Sequence, residues 1–491
     1  MHRHRLPIGL LVIVAAAPAA AQEPPPSTVA RLAAIESAVA RVTAAHPDAI
    51  WPGFRPDTIP VIYVVPGQGS LLLNWPDGGL PDGFSPIPGV SHAGWQGAAV
   101  RTAASTSTAL AGRSAAQVFV FPDADDAQLF GTAVHEAFHG FERSVARQGR
   151  RFGAGENSYL VSTYPVFDPG NEAGVALEGL LLARAAAART SAEAREAAQE
   201  FVAAREARQR KLGTEFSDFE AQGELNEGLA EYALVRVLQL AESDPAIPWR
   251  AGATAEIERH RLRLDSLTAN VTQSLRYRLY VTGPAIGLIL DRLVGPAWRS
   301  TLERNDLTLQ DELAEASGYR EPEHTLLARA AAAVDTAVLA ADAAAATARL
   351  RALRRAQVDS VLAQPGLLLV LRSDSIGIGR MGLCGLDPQN LLQVDSTVLL
   401  HTRWVRPCGP GFSGEFSSAA VQDKAAGTFA AVVGPEAQVR VTAGGTALSL
   451  ADGESETVAD FKVIAPGATL AAPRAVLRRT GRTLDVIPLR R

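Results

Sequence analysis

The spacing of apolar residues changes character several times along the chain, and each change predicts a different kind of element. Residues 6–14 form a short apolar run behind the basic start Met1-His2-Arg3-His4-Arg5, and Ala19-Ala20-Ala21 precede Gln22. That arrangement predicts a secretory signal peptide over 1–21, too short and wrongly flanked for a permanent membrane helix. After the stiff linker Glu23-Pro24-Pro25-Pro26, residues 28–45 carry apolar positions at helical spacing, with Ser27 as the expected cap. Between Pro47 and Pro88, β-like runs such as Ile59-Pro60-Val61-Ile62-Tyr63-Val64-Val65 alternate with Gly/Pro/Asp turns, and Gln117-Val118-Phe119-Val120-Phe121 reads as a further strand. Residues 22–116 are therefore expected to form an N-terminal helix and a strand-rich subdomain.

From 117 to 362 the helical period dominates. Helices are expected over 126–148, 219–242, 253–273 and 283–294, with 171–212 as one long helix or a hairpin. The Ala/Arg-rich stretch 321–362 closes this part. After Pro365, runs such as Leu367-Leu368-Leu369-Val370-Leu371 and Ala437-Gln438-Val439-Arg440-Val441 are separated by Gly-rich turns. Residues 366–491 then read as a β-sandwich or barrel-like domain. The fold class expected is α+β: a mainly helical domain behind a small strand-rich part, followed by an all-β domain.

Composition narrows the partners. A chain of 491 residues with 47% hydrophobic and 20% charged residues is globular and divided into domains. Its net charge of -5 suggests neither nucleic acid nor a membrane surface as partner. The two cysteines, Cys384 and Cys408, read as one disulfide in an oxidising compartment, with two free thiols as the alternative. Together with the signal peptide they predict a periplasmic or secreted protein with no stable membrane insertion.

The chemistry-bearing stretch is Val134-His135-Glu136-Ala137-Phe138-His139. On a helix it places two imidazoles four residues apart on one face, within reach of one metal ion, and Glu136 beside them as a base for a bound water. Zinc suits two imidazoles and a carboxylate. The plainer reading is a helix with two hydrogen-bonded histidines. A catalytic site needs a third ligand, and Leu225-Asn226-Glu227-Gly228-Leu229-Ala230-Glu231-Tyr232 offers Glu227 and Glu231 on one helical face. The nearest basic residue in sequence, Arg236, turns off that face, so the carboxylates require another cation unless they are solvated. Glu172 and Glu178, on an Ala-rich segment, read as solvated rather than facing a cleft, and His401 and Trp404 read as strand residues.

These elements resemble the gluzincin metallopeptidases. Asn226-Glu227-Gly228-Leu229-Ala230 is similar to the Asn-Glu-Gly-Phe-Ala element of the aminopeptidase N family, and Tyr280-Val281-Thr282-Gly283 to its Tyr-x-x-Gly element. The resemblance spans roughly 117–300. It implies zinc on His135, His139 and Glu227, Glu136 as base, Glu231 orienting a ligating His, and Tyr280 as oxyanion donor, with Tyr277 as its competitor. Two departures stand out. The gap from His139 to Glu227 is 227 − 139 = 88 positions, far longer than usual in that family. Gly153-Ala154-Gly155-Glu156-Asn157 falls after the zinc helix, where it cannot be the family's amine-binding segment. The expected function is a zinc-dependent metallopeptidase acting on a peptide or protein substrate. The rivals are a zinc hydrolase of non-peptide amides or esters, and a non-catalytic binding protein with a structural metal and a working β-domain.

Overall fold

The structure, a computed structural model, describes residues 24–97, 105–143, 157–269, 275–305, 307–372, 382–387, 390–409 and 411–489. The expected signal peptide lies outside them, as do residues 153–156 of the Gly153-Ala154-Gly155-Glu156-Asn157 segment, which reads as a turn.

Helix α1 (Pro26–Ala45) opens the described chain with Pro26 in its first turn. Proline replaces the expected Ser27 cap, because its missing N–H is one that a helix start leaves unpaired anyway. Strands β1 (Val61–Val65), β2 (Gly69–Leu73), β3 (Ser85–Pro86), β4 (Gly94–Gln96), β5 (Thr106–Leu110) and β6 (Arg113–Phe119) form one sheet in the order β3-β4-β2-β1-β6-β5. β1 runs antiparallel to β2 and parallel to β6. Its unbroken apolar run reflects burial on both faces. Val61, Tyr63 and Val65 join the main core with α1, while Ile62 and Val64 pack with Leu72, Trp75 and Ala115.

Under α1 lies an ionisable group in an apolar setting. Glu36 is buried and accepts hydrogen bonds from Tyr63 (2.7 Å) and Asn74 (2.6 Å). Burial pushes its carboxyl up to about 7, with those two hydrogen bonds pulling the other way. Its ordinary value is 4.5. The stability it contributes is therefore present below that value and lost as pH rises through the folded value. Glu36→Gln is expected to raise stability at pH 8 relative to pH 5 by on the order of 2 kcal/mol. Melting curves at the two pH values measure this, and an equal effect at both would contradict it.

The helical part begins with α2 (Asp126–Glu142) and continues through α3 (Ser158–Thr163), α4 (Pro169–Ala187), α5 (Ser191–Leu212) and α6 (Thr214–Gly223). A π-helical turn over Glu224–Gly228 follows, then α7 (Leu229–Ser243), α8 (Arg250–Ala269), α9 (Leu275–Val294), α10 (Ala297–Asn305), α11 (Leu309–Ser317), α12 (Glu323–Ala333) and α13 (Thr336–Leu362). The segment 171–212 is thus a hairpin, α4 and α5, broken where Thr190 caps α5 in a capping box with Glu193. An edge-to-face cluster of Trp51, Phe138, Tyr232 and Trp298 locks the back of α2 to α7 and α10. Among the described residues no helix is long and apolar enough to cross a membrane.

The C-terminal domain is all-β, with its own core around Leu369, Phe416, Phe429, Phe461 and Leu477. Its first strand, Leu367–Arg372, lies between Thr428–Val433, antiparallel, and the last strand, Thr483–Pro488, parallel. The end of α13 packs Val358, Val361 and Leu362 against Val394, Leu400 and Val421. Cys384 and Cys408 form the expected disulfide between two adjacent antiparallel strands. His401 is a buried strand residue bonded to Gln422, as its position suggested.

Candidate metal centre

Helix α2 presents the two histidines. Asp125 caps it, accepting the Gln128 N–H at 2.8 Å, while Gln128 reaches back to the Asp125 N–H. Four residues of helical rise bring His135 and His139 to one face, with ring centroids 4.9 Å apart and both side chains buried. Their Nε2 atoms are 3.2 Å apart.

The third group comes from the π-helical turn. Its wider ring closes at Leu229 N–H on the Glu224 carbonyl and adds one residue to the helix path. Glu227 is thereby carried toward α2. Its Oε1 accepts from Asn226 Nδ2 at 3.1 Å and from Arg276 Nη2 at 3.2 Å. Its Oε2 lies 3.3 Å from His139 Nε2 and 3.7 Å from His135 Nε2. The turn can approach α9 closely because Gly228 meets Gly283 backbone to backbone. A Cβ on Gly228 would stand 2.7 Å from the Gly283 Cα. The two motif glycines therefore share one crossing, which ties Glu227 to Tyr280.

These atoms fit a metal ion. Metal–ligand bonds of about 2.0–2.1 Å at tetrahedral angles separate ligand atoms by about 3.4 Å. The three edges here are 3.2, 3.3 and 3.7 Å. Glu227 Oε2 is buried and finds no hydrogen-bond partner among the described residues. An orphaned carboxylate oxygen aimed between two imidazole nitrogens is costly alone and satisfied by a cation. His135, His139 and Glu227 form a buried group that can hold a metal ion.

Carboxylates stand behind both imidazoles. His135 Nδ1 lies 3.0 Å from Glu231 Oε2, and His139 Nδ1 lies 3.3 Å from Glu142 Oε2. Burial opposes the charged form of His135, but the Glu227 and Glu231 carboxylates outweigh it and push the imidazole up to about 10. Burial likewise works against the ionised carboxyls. The facing imidazoles nevertheless hold Glu227 far below the usual carboxylate range, and His135, His260 and Arg263 bring Glu231 down to about 2. The pocket thus places negative charge behind two imidazoles, where a cation at Nε2 is favoured.

Glu136 and Tyr280 complete the constellation. Glu136 is buried on the same helix, and burial raises its carboxyl while the two histidines oppose that shift. Tyr280 stacks flat on His135, with centroids 5.7 Å apart and planes 8° from parallel. It lies inside α9 rather than ahead of a helix starting at Gly283. The helix passes through Pro284 and forgoes only the bond that would end on the Tyr280 carbonyl. Tyr277 lines the same cleft as Tyr280, with its ring centroid 6.0 Å from the Arg263 guanidinium. A cleft of about 620 Å³ reaches both Glu136 and Tyr280, with Phe119, Phe121 and Arg259 on its walls.

Several contacts are not visible in the sequence. The Glu227–Glu231 pair is not waiting on a metal for all its counter-charge: Arg263 reaches Glu231 at 2.6 Å and Arg276 reaches Glu227, both from helices distant in sequence. Glu142 is a further site residue that the sequence motifs do not single out, although its place three residues after His139 on one helix is a usable signal. Glu172 and Glu178 are neither solvated nor in the cleft. They are buried against Arg278, Arg205 and Arg208. No protein-family model, curated protein or solved structure matches this chain, so the reading of the site rests on its own residues.

Proposed function

We propose that the protein is an exported zinc-dependent metallopeptidase of the gluzincin type, with His135, His139 and Glu227 holding zinc, Glu136 as general base and Tyr280 as oxyanion donor. The observation that carries the reading is the triangle of buried ligand atoms, 3.2 to 3.7 Å on an edge, beside a cleft that reaches Glu136 and Tyr280. Two imidazoles and one carboxylate suit zinc's borderline softness and four-coordinate habit. When bound, the ion supplies Lewis acidity, lowering the pKa of water and polarising a carbonyl.

The chain's own residues perform the remaining work. Glu136 takes the proton of the attacking water at its carboxylate and returns it to the leaving amine. Glu231 and Glu142 fix the two imidazole rings from behind. Tyr280, held by its stack on His135, offers its hydroxyl hydrogen to the developing oxyanion. A three-residue ligand set on a cleft favours catalysis over a structural ion, which takes four protein ligands. Peptide rather than ester as substrate rests on the resemblance of the Asn226–Ala230 and Tyr280–Gly283 elements. The disulfide accords with export to an oxidising compartment.

Elemental mass spectrometry of dialysed protein, with a panel of peptides and esters assayed in parallel, tests this. The wild type is expected to carry zinc stoichiometrically and Glu227→Ala to lose it. Zinc retained by the variant would move the third ligand elsewhere. Absence of metal from both would put the binding-protein reading ahead.

A further inference from the structure

Beneath the metal centre lies a group of buried charges that the proposed chemistry does not use. Glu178 (α4), Arg205 and Arg208 (α5), Glu220 (α6) and Glu224 (the π-turn) are each at most 7% exposed. Burying such ions is no route to stability in itself, since a well-packed apolar set of similar volume commonly does as well or better. Their geometry gives them another use. Arg205 Nη1 donates to both oxygens of Glu224 at 2.9 Å, and its Nε donates to Glu178 Oε2 at 2.9 Å. Phe201 lies 4.5 Å beneath the guanidinium. From the opposite side Thr282 of α9 donates its hydroxyl hydrogen to Glu224 Oε1. Glu224 is therefore clamped between α5 and α9, and it is the residue whose carbonyl closes the π-helical ring.

That ring decides which side chain faces α2. Relaxing a π-turn to ordinary α-helix removes one residue from the path and rotates the helix beyond it by about 100° relative to the helix before it. Glu227 lies three residues past Glu224. We propose that Arg205 is a positioning residue for the metal centre: by tying Glu224 to Glu178 it holds the π-turn in the register that aims Glu227 Oε2 between the two imidazoles. The α4–α5 hairpin, the long insert between the second His and the Glu, then acts as a brace rather than a lid. This rests on the metal-binding reading above.

The test is zinc affinity of the full chain by chelator competition, with the absorption spectrum of the cobalt-substituted protein and a melting curve. Arg205→Lys keeps the charge but loses the fork that grips two carboxylates at once. It is expected to fold, to bind zinc about 10- to 100-fold more weakly, and to show an altered cobalt spectrum. Should Arg205→Lys fail to fold, Glu178→Gln provides the same test by loosening the anchor on α4, with a several-fold loss expected. Wild-type affinity and spectrum in a folded variant, even one that melts earlier, would overturn the positioning role and leave the metal site standing. A wild type that binds no zinc would overturn both.

Discussion

Gly283→Ala is expected to abolish metal binding at the His135–His139–Glu227 group and to cost about 2 kcal/mol of stability, although the residue belongs to none of the three. A Cβ at Gly283 would lie 2.4 Å from the Cα of Gly228 and 3.0 Å from its carbonyl carbon. Both obstacles are backbone, so no side chain can swing aside. Gly283 has no left-handed φ, so alanine meets no conformational barrier there. It would even bring roughly 1 kcal/mol of helix propensity. Steric separation of the π-turn from α9 must exceed that gain, and overpacking of this kind typically costs about 1–3 kcal/mol. The functional loss is larger in proportion, because metal ligands tolerate displacements of only about 0.2 Å. Glu227 adjoins Gly228, and Tyr280 lies one turn before Gly283, so opening the crossing moves both. Zinc content and a melting curve on the same preparation decide the matter. A variant with full zinc and wild-type melting would show that the crossing is slack.

That contact also shows where reading the sequence succeeds and where it stops. Local pattern carries His135, His139 and Glu136, because a four-residue spacing on one helix is visible without tertiary structure. The change of period after Pro365 likewise marks the β-domain, and two cysteines admit a single internal pairing. The two short Asn-Glu-Gly and Tyr-x-x-Gly elements can be read only as resemblances. The physical reason for their glycines appears once Gly228 and Gly283 meet. A π-helical turn leaves no trace in hydrophobic periodicity, so the stretch around Glu227 reads as one uninterrupted helix. Counter-charges are the weakest inference. Arg236, the nearest base in sequence, does turn away and faces Asp291, but the counter-charge assigned to a metal is supplied in part by Arg263 and Arg276, which arrive from α8 and α9. Glu172 and Glu178 mislead for a related reason. An Ala-rich helix looks solvated until a second helix places arginines against it.

Under the proposed mechanism, Glu136→Gln is expected to lower turnover by about a thousandfold while leaving metal content and fold intact, within the range for losing a general base. The substitution keeps the size and hydrogen-bonding shape of the side chain and removes only its ability to take a proton. None of the atoms in the ligand triangle belongs to Glu136, so zinc stoichiometry has no reason to change. Stability has reason to hold or to rise. Burial disfavours the Glu136 carboxylate, and glutamine removes that ionisable group from a buried site. Reduced turnover therefore cannot be ascribed to unfolding if the variant melts at or above the wild-type temperature. The rival readings diverge on this one protein. A structural metal predicts no catalysis to lose, and a zinc hydrolase of esters predicts the same thousandfold fall on esters but none on peptides, which it does not cleave. Turnover equal to wild type, on whichever substrate the panel identifies, would remove Glu136 from the chemistry and with it the proposed mechanism.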